Sequence, residues 1–280
     1  MPQPLYDFGG NGDLMHLAVA NGFPPQTYIP MVRPLLGRYH VVNLPPRALW
    51  DGEPIPSKPG SWRFVADDLL AGLRQYDLKD VIAIGHSFGG IASLLAVIDE
   101  PNRFRALILL DPTIMPPDIM DLLKPAHDNG TGRQGPLVEA ARRRRRHFES
   151  TEAAYQAFKE RRLFSDWPEE SLRLYAESMT RPAQDGEGVE LTWSADWEAF
   201  YYQSFYPHTW TDIPKLRNLL PILAIRGATS DTLHAPTADL LREALPNLTY
   251  AEIPGHGHLF PQSAPEETSR VIAEWLAKNT

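Results

Sequence analysis

The residues of this chain best suited to chemistry are Gly85-His86-Ser87-Phe88-Gly89-Gly90, which directly follow the apolar run 81–84 and open an apolar stretch with helical spacing. A G-x-S-x-G pentapeptide is common by chance, but on a strand-turn-helix it is specific for a serine nucleophile on a sharp turn. The flanking glycines suit a turn where side chains would strike the neighbouring strand and helix. The helix N-terminus then offers backbone N–H groups to a developing anion. A glycine-rich turn with an N-capping serine is the alternative. Three other features compete for attention: the pair His256 and His258, the run Arg142 to Arg146, and eight aromatic residues between 193 and 210.

These residues need a scaffold, and the hydrophobic pattern supplies one. Strand-like runs fall at 14–20, 39–44, 81–85 and 106–110, with helical spacing at 26–36, 62–76 and 87–99 between them. This is the rhythm of βαβ units on a mainly parallel sheet. Residues 5–8, followed by Gly-Gly-Asn-Gly, read as a short antiparallel edge strand and a turn. The pattern resumes with strands at 222–225 and 249–253 and helices at 236–245 and 265–278. Between them, roughly 112–214 carries no strand signal and reads as a loop and several helices.

The Ser87 motif and this layout resemble the α/β-hydrolase family across residues 5–112 and 215–278. The resemblance implies an α/β fold with a mostly parallel central sheet flanked by helices. It divides the chain into a core at 1–112 and 215–280 and a helical cap, or lid, at 113–214. In that family the nucleophile, acid and histidine follow one another along the chain. The segment Arg226-Gly227-Ala228-Thr229-Ser230-Asp231 follows the next-to-last strand, and Pro254-Gly255-His256-Gly257-His258 follows the last. The implied catalytic triad is therefore Ser87, Asp231 and His258, with Asp111, at the end of strand 106–110, as the alternative acid. His256 and His258 are two residues apart and point opposite ways in extended chain, so one of them reaches Ser87. The family pattern selects His258. The oxyanion hole is expected from the N–H groups of Phe88 and Phe23, the latter in Asn21-Gly22-Phe23-Pro24, where Asn21 stands in place of the family's loop histidine.

A serine at this position implies an acyl-enzyme and hydrolysis of an ester or related acyl bond. Carbon–carbon bond hydrolysis of acidic diketones and lactone hydrolysis use the same residues, and a non-catalytic small-molecule receptor could retain all of them. The substrate is expected to be a small apolar or aromatic acyl compound. Trp193, Trp197, Tyr201 and Phe205 recur at i+4 steps, so they either pack the cap on the core or, with Asn21 and His86, line a pocket. Arg142 to Arg146 lie in an expected helix from Pro136, where 100° steps prevent all five from facing one ligand. They read mainly as a solvated face, with a carboxylate-binding arginine as the alternative.

Composition narrows the field further. The 280 residues carry a net charge of −8, which disfavours nucleic acid, and contain no cysteine, which removes disulfides and thiolate ligands. A His-x-His metal site lacks further ligands at useful spacing, so neither metal nor cofactor is expected. No apolar run approaches a membrane span, and the first twelve residues do not have the pattern of a signal peptide. A cytoplasmic monomer or homodimer is the default expectation.

Overall fold

The computed structural model describes residues 2–279. Seven strands form the main sheet in the order β1-β3-β2-β4-β5-β9-β10. They are β1 (Tyr6–Gly9), β2 (Asp13–Ala18), β3 (Tyr39–Asn43), β4 (Val81–His86), β5 (Phe104–Leu110), β9 (Ile222–Gly227) and β10 (Leu248–Ile253). Edge strand β1 runs antiparallel to β3, and every other pair is parallel. β4 and β5 are buried along nearly their whole length, as the continuous aliphatic runs of a sheet covered on both faces require.

Register determines what the sheet can present. His86 pairs with Leu110, Leu110 with Ile225, and Ala18 with Gly85. The chain therefore leaves β2, β4, β5 and β9 at one level, along the carboxyl edge where open α/β sheets place their ligands. Ser87 and Asp111 are each the first residue beyond that line.

The helix expected over 26–36 is instead three short turns, Pro25–Tyr28, Ile29–Val32 and Arg33–Leu35. Each has proline at its first or second position, and proline cannot donate the hydrogen bond that would join one turn to the next.

Between β5 and β9 the chain forms an insertion with five helices of seven or more residues: Pro117–Asp128, Pro136–Arg142, Thr151–Lys159, Glu169–Met179 and Ala195–Gln203. It also contains strands, contrary to the sequence expectation. β6 (His147–Phe148), β7 (Thr180–Pro182) and β8 (Val189–Leu191) form a small antiparallel sheet in the order β6-β8-β7. At two or three residues each they are too short for a period-two signal. The turn from β7 to β8 uses Gly186 and Gly188, both with φ above +65°. One contiguous apolar cluster runs from the sheet into the insertion, joining Ile84 and Leu107 to Tyr175, Trp193 and Tyr201.

Candidate active site

β4 delivers Ser87 at φ 60°, ψ −125°, a conformation that costs a non-glycine residue about 1–3 kcal/mol. The surroundings hold it there. Its N–H donates to the Leu110 carbonyl at 3.0 Å, and its own carbonyl accepts from Gly90 at 3.0 Å and Thr113 at 3.2 Å. The turn also depends on its glycines. A Cβ on Gly85 would lie 2.5 Å from the Gly89 carbonyl oxygen, and one on Gly89 would lie 2.6 Å from the carbonyl oxygens of Ala18 and Val19.

The Ser87 hydroxyl lies 3.0 Å from His258 Nε2, and His258 Nδ1 lies 2.6 Å from Asp111 Oδ2. A carboxylate accepts, so Nδ1 carries the proton and Nε2 presents its lone pair to the Ser87 hydroxyl. Asp111 is fully buried and saturated: Oδ1 accepts from the Gly227 N–H at 3.2 Å, and Oδ2 also accepts from the Ser230 hydroxyl at 2.5 Å. Ser230 Oγ in turn accepts from the backbone of Thr232 and Leu233.

The expected pairing of Asp231 with His258 is therefore corrected. Asp231 is exposed, and the carboxylate on His258 belongs to Asp111. The physical reason is register: β5 lies between β4 and β9, so the residue ending β5 stands beside Ser87 under the loop of His258. The segment 226–231 does reach the cluster, but through the Gly227 N–H and the Ser230 hydroxyl, which bond the Asp111 carboxylate.

His86 was expected among the pocket residues and is instead sealed beneath the site. Its Nδ1 accepts from the Tyr28 hydroxyl at 2.7 Å and its Nε2–H donates to the His258 carbonyl at 3.0 Å. Tyr28 also accepts the Ala20 N–H at 2.9 Å. This relay ties the loop after β2 to the backbone of His258. Burial, and then the charge His258 would carry, push His86 well below the usual histidine range, so it stays neutral. His256 turns the other way, with Nδ1 2.7 Å from Ser263 Oγ.

Of the two N–H groups expected to form an oxyanion hole, Phe88 opens the helix Phe88–Asp99 and has no carbonyl within that helix to receive its proton. The Phe23 N–H donates to the Ala20 carbonyl at 3.2 Å, across a turn in which Gly22 adopts φ +83°. Asn21 is buried, and its side chain donates to the Glu198 carbonyl at 3.0 Å, anchoring this turn to the insertion rather than lining a cavity. Tyr201 stacks with Trp197 and lies 5.0 Å from Phe88. Phe205 is fully buried, with its ring 5.6 Å from His127. These rings pack the insertion onto the core.

Sequence reasoning passed over three participants. Thr113 Oγ1 lies 3.0 Å from Ser87 Oγ, so the serine hydroxyl has two partners. Tyr28 closes the relay described above. Glu198 carries an ion pair with Arg144 at 2.6 Å, directly over Gly22, where an added Cβ would lie 3.4 Å from its carboxylate. Among the described residues no three His, Cys, Asp or Glu side chains gather to hold a metal ion.

The arginine run also differs from expectation. The helix ends at Arg142, so the next four side chains part company. Arg143 pairs with Glu139 and Arg146 with Asp196, while Arg145 lies over the Phe148 ring. Arg144 alone turns inward, to Glu198 and the Tyr175 hydroxyl at 2.5 Å.

Comparison with known proteins places this geometry in a lineage. The chain is 25% identical over 216 residues to 2-(acetamidomethylene)succinate hydrolase of Mesorhizobium japonicum, covering 75% of this chain and 69% of that protein. It is 24% identical over 228 residues to a protein of Haemophilus influenzae provisionally named an esterase/lipase, covering 81% and 71%. Among solved structures, an E-2-(acetamidomethylene)succinate hydrolase superposes with a TM-score of 0.71 at 21% identity, over 98% of this chain and 94% of that one. The enol-lactonase of Burkholderia xenovorans superposes at 0.69 and 15% identity, over 98% and 96%. Residues 17–271 match the alpha/beta hydrolase family, and the chain is a member of it.

Proposed function

We propose that this protein is a serine hydrolase that cleaves an ester or related acyl bond through Ser87, His258 and Asp111. The observation that carries this reading is the continuous hydrogen-bonded line from the Ser87 hydroxyl through the two nitrogens of His258 to a buried, saturated carboxylate. His258 Nε2 removes the hydroxyl proton as Ser87 Oγ attacks the substrate carbonyl. Asp111 holds the imidazole in the required tautomer and stabilises the imidazolium that forms. The developing alkoxide is received by the Phe88 N–H, with the Phe23 N–H sharing its bond to Ala20 as the second donor. His258 then protonates the leaving group, and water activated by the same imidazole releases the acid from the acyl-enzyme.

In this reading, residues 1–112 and 215–280 are the catalytic core and 113–214 is a lid whose aromatic face exclude water from the acyl group. Thr113 holds the Ser87 hydroxyl in the rotamer that faces His258. The substrate is a small acyl compound, and the chemistry requires no cofactor. The direct test is turnover of p-nitrophenyl butyrate. Turnover that falls to background in Ser87→Ala supports the reading, and equal turnover in the two proteins refutes it.

A further inference from the structure

Arg133 stands apart from every other cation in the protein. Among the described residues it is the only lysine or arginine that is not exposed and has no carboxylate within 4.0 Å. Its guanidinium Nη1 meets only the thioether of Met115, at 3.6 Å. Arg133 is half-buried, and drawing even part of a charge out of water without a partner is costly; a thioether sulfur does not compensate for it. Burial accordingly lowers the Arg133 pKa.

The position of this group is informative. Met115 lies two residues beyond Thr113, whose hydroxyl touches Ser87. Two residues span at most about 7 Å, so with the side chains of Thr113 and Met115 the Arg133 guanidinium lies within about 20 Å of the nucleophile. The other inward arginine, Arg144, is neutralised by Glu198, whose carboxylate lies over Gly22. Burial raises the Tyr202 pKa, and the charges of Arg144 and Arg133 act on its phenol in the opposite sense, so both arginines lie in its neighbourhood. The insertion thus carries two inward cations and one anion, and the uncompensated charge is the one on Met115.

We infer that Arg133 receives a carboxylate at the far end of the acyl group, so that the preferred substrates are monoesters or related acyl derivatives of short dicarboxylic acids. A guanidinium binds a carboxylate through two parallel hydrogen bonds, and burial strengthens the pair. Acids of about four to seven carbons fall within that reach of Ser87. This inference rests on the serine hydrolase reading for the position of the scissile bond, but not for the anion site itself.

The test compares p-nitrophenyl half-esters of glutaric and adipic acid with neutral p-nitrophenyl valerate and hexanoate, which have the same chain lengths. The intact protein is expected to favour each half-ester at least tenfold in kcat/KM. Arg133→Met is expected to abolish that preference while changing turnover of the neutral esters less than about twofold, and Arg133→Lys, which keeps the charge without the fork, to retain part of it. Binding is read separately, without turnover: about 10 mM glutarate should raise the melting midpoint of Ser87→Ala by roughly 3 °C, and the shift should vanish when Arg133→Met is added. No preference in the intact protein together with no glutarate shift would overturn the inference. So would an equal loss on charged and neutral esters, which makes Arg133 a packing residue. Absence of all hydrolysis with the Arg133-dependent shift intact would instead count against the hydrolase reading and leave the anion site standing.

Discussion

At the carboxyl edge of the sheet, Ser87, Asp111 and His258 stand on backbone held from several directions; in the insertion, the inward polar groups are held by one another. Ser87 and Asp111 follow directly on adjacent, almost wholly buried strands, and their backbone groups bond to neighbouring strand ends. Arg144, Glu198 and Tyr175 depend instead on a single ion pair and one short hydrogen bond, embedded in rings such as Phe158. In the proposed function, reaction geometry falls to the region held by the sheet and substrate recognition to the insertion, since a sheet edge keeps its register whatever the insertion does.

The largest effect that would sharpen this contrast is chemical. Ser87→Ala and His258→Ala are each expected to lower kcat by on the order of 10⁴-fold or more, with melting curves close to that of the parent protein. A similar loss of stability in either variant would break the division between the two regions. Next is the ion pair in the insertion. Arg144→Met leaves Glu198 half-buried without its cation, and chemical denaturation is expected to show a loss of about 3 kcal/mol. Burial opposes the Arg144 charge, but Tyr175 and Glu198 more than offset it and raise its pKa, so this pair persists at any pH near neutrality.

Smaller effects probe the relay beneath the site. His86→Leu removes the donor to the His258 carbonyl and the acceptor of Tyr28, and kcat should fall about 10–100-fold while KM changes little. A KM effect of the same size would place His86 among the binding residues after all. The last effect is a pH slope. His16, held near pKa 3 by burial, and His86, also far below the usual range, both fold neutral. Each binds a proton in the unfolded chain below about pH 6.5. Their contribution to stability is therefore full above that pH and declines as the pH falls towards the folded values, by about 1.4 kcal/mol per unit per histidine. Denaturant midpoints measured from pH 7.5 to 5.0 should show this decline, and His16→Gln should flatten it.

How much of this could be read from the residues differs between the same two regions. The aliphatic runs of β4, β5 and β9 and the glycines around Ser87 announce the sheet and the turn, because burial on both faces and close backbone approach leave few residue types possible. The choice between Asp111 and Asp231 was not legible, since both satisfy the order nucleophile, acid, histidine. Burial decides it, and burial is a property of the assembled sheet. Thr113 gave a local hint by following Asp111-Pro112 at a strand end. In the insertion, β6, β7 and β8 are too short to show a period, and the partners of Arg142 to Arg146 depend on where their helix stops. Arg133 carried no signal at all, because a half-buried charge without a carboxylate is defined only by what fails to surround it.

The most direct test of the account is the rate at which a fluorophosphonate labels the protein, with the modified residue located by mass spectrometry, in the parent, Asp111→Asn and Asp231→Asn. Labelling is expected at Ser87, slowed on the order of 10³–10⁴-fold by Asp111→Asn and unchanged within about twofold by Asp231→Asn. Labelling elsewhere, or a rate that depends on Asp231 rather than Asp111, would contradict it.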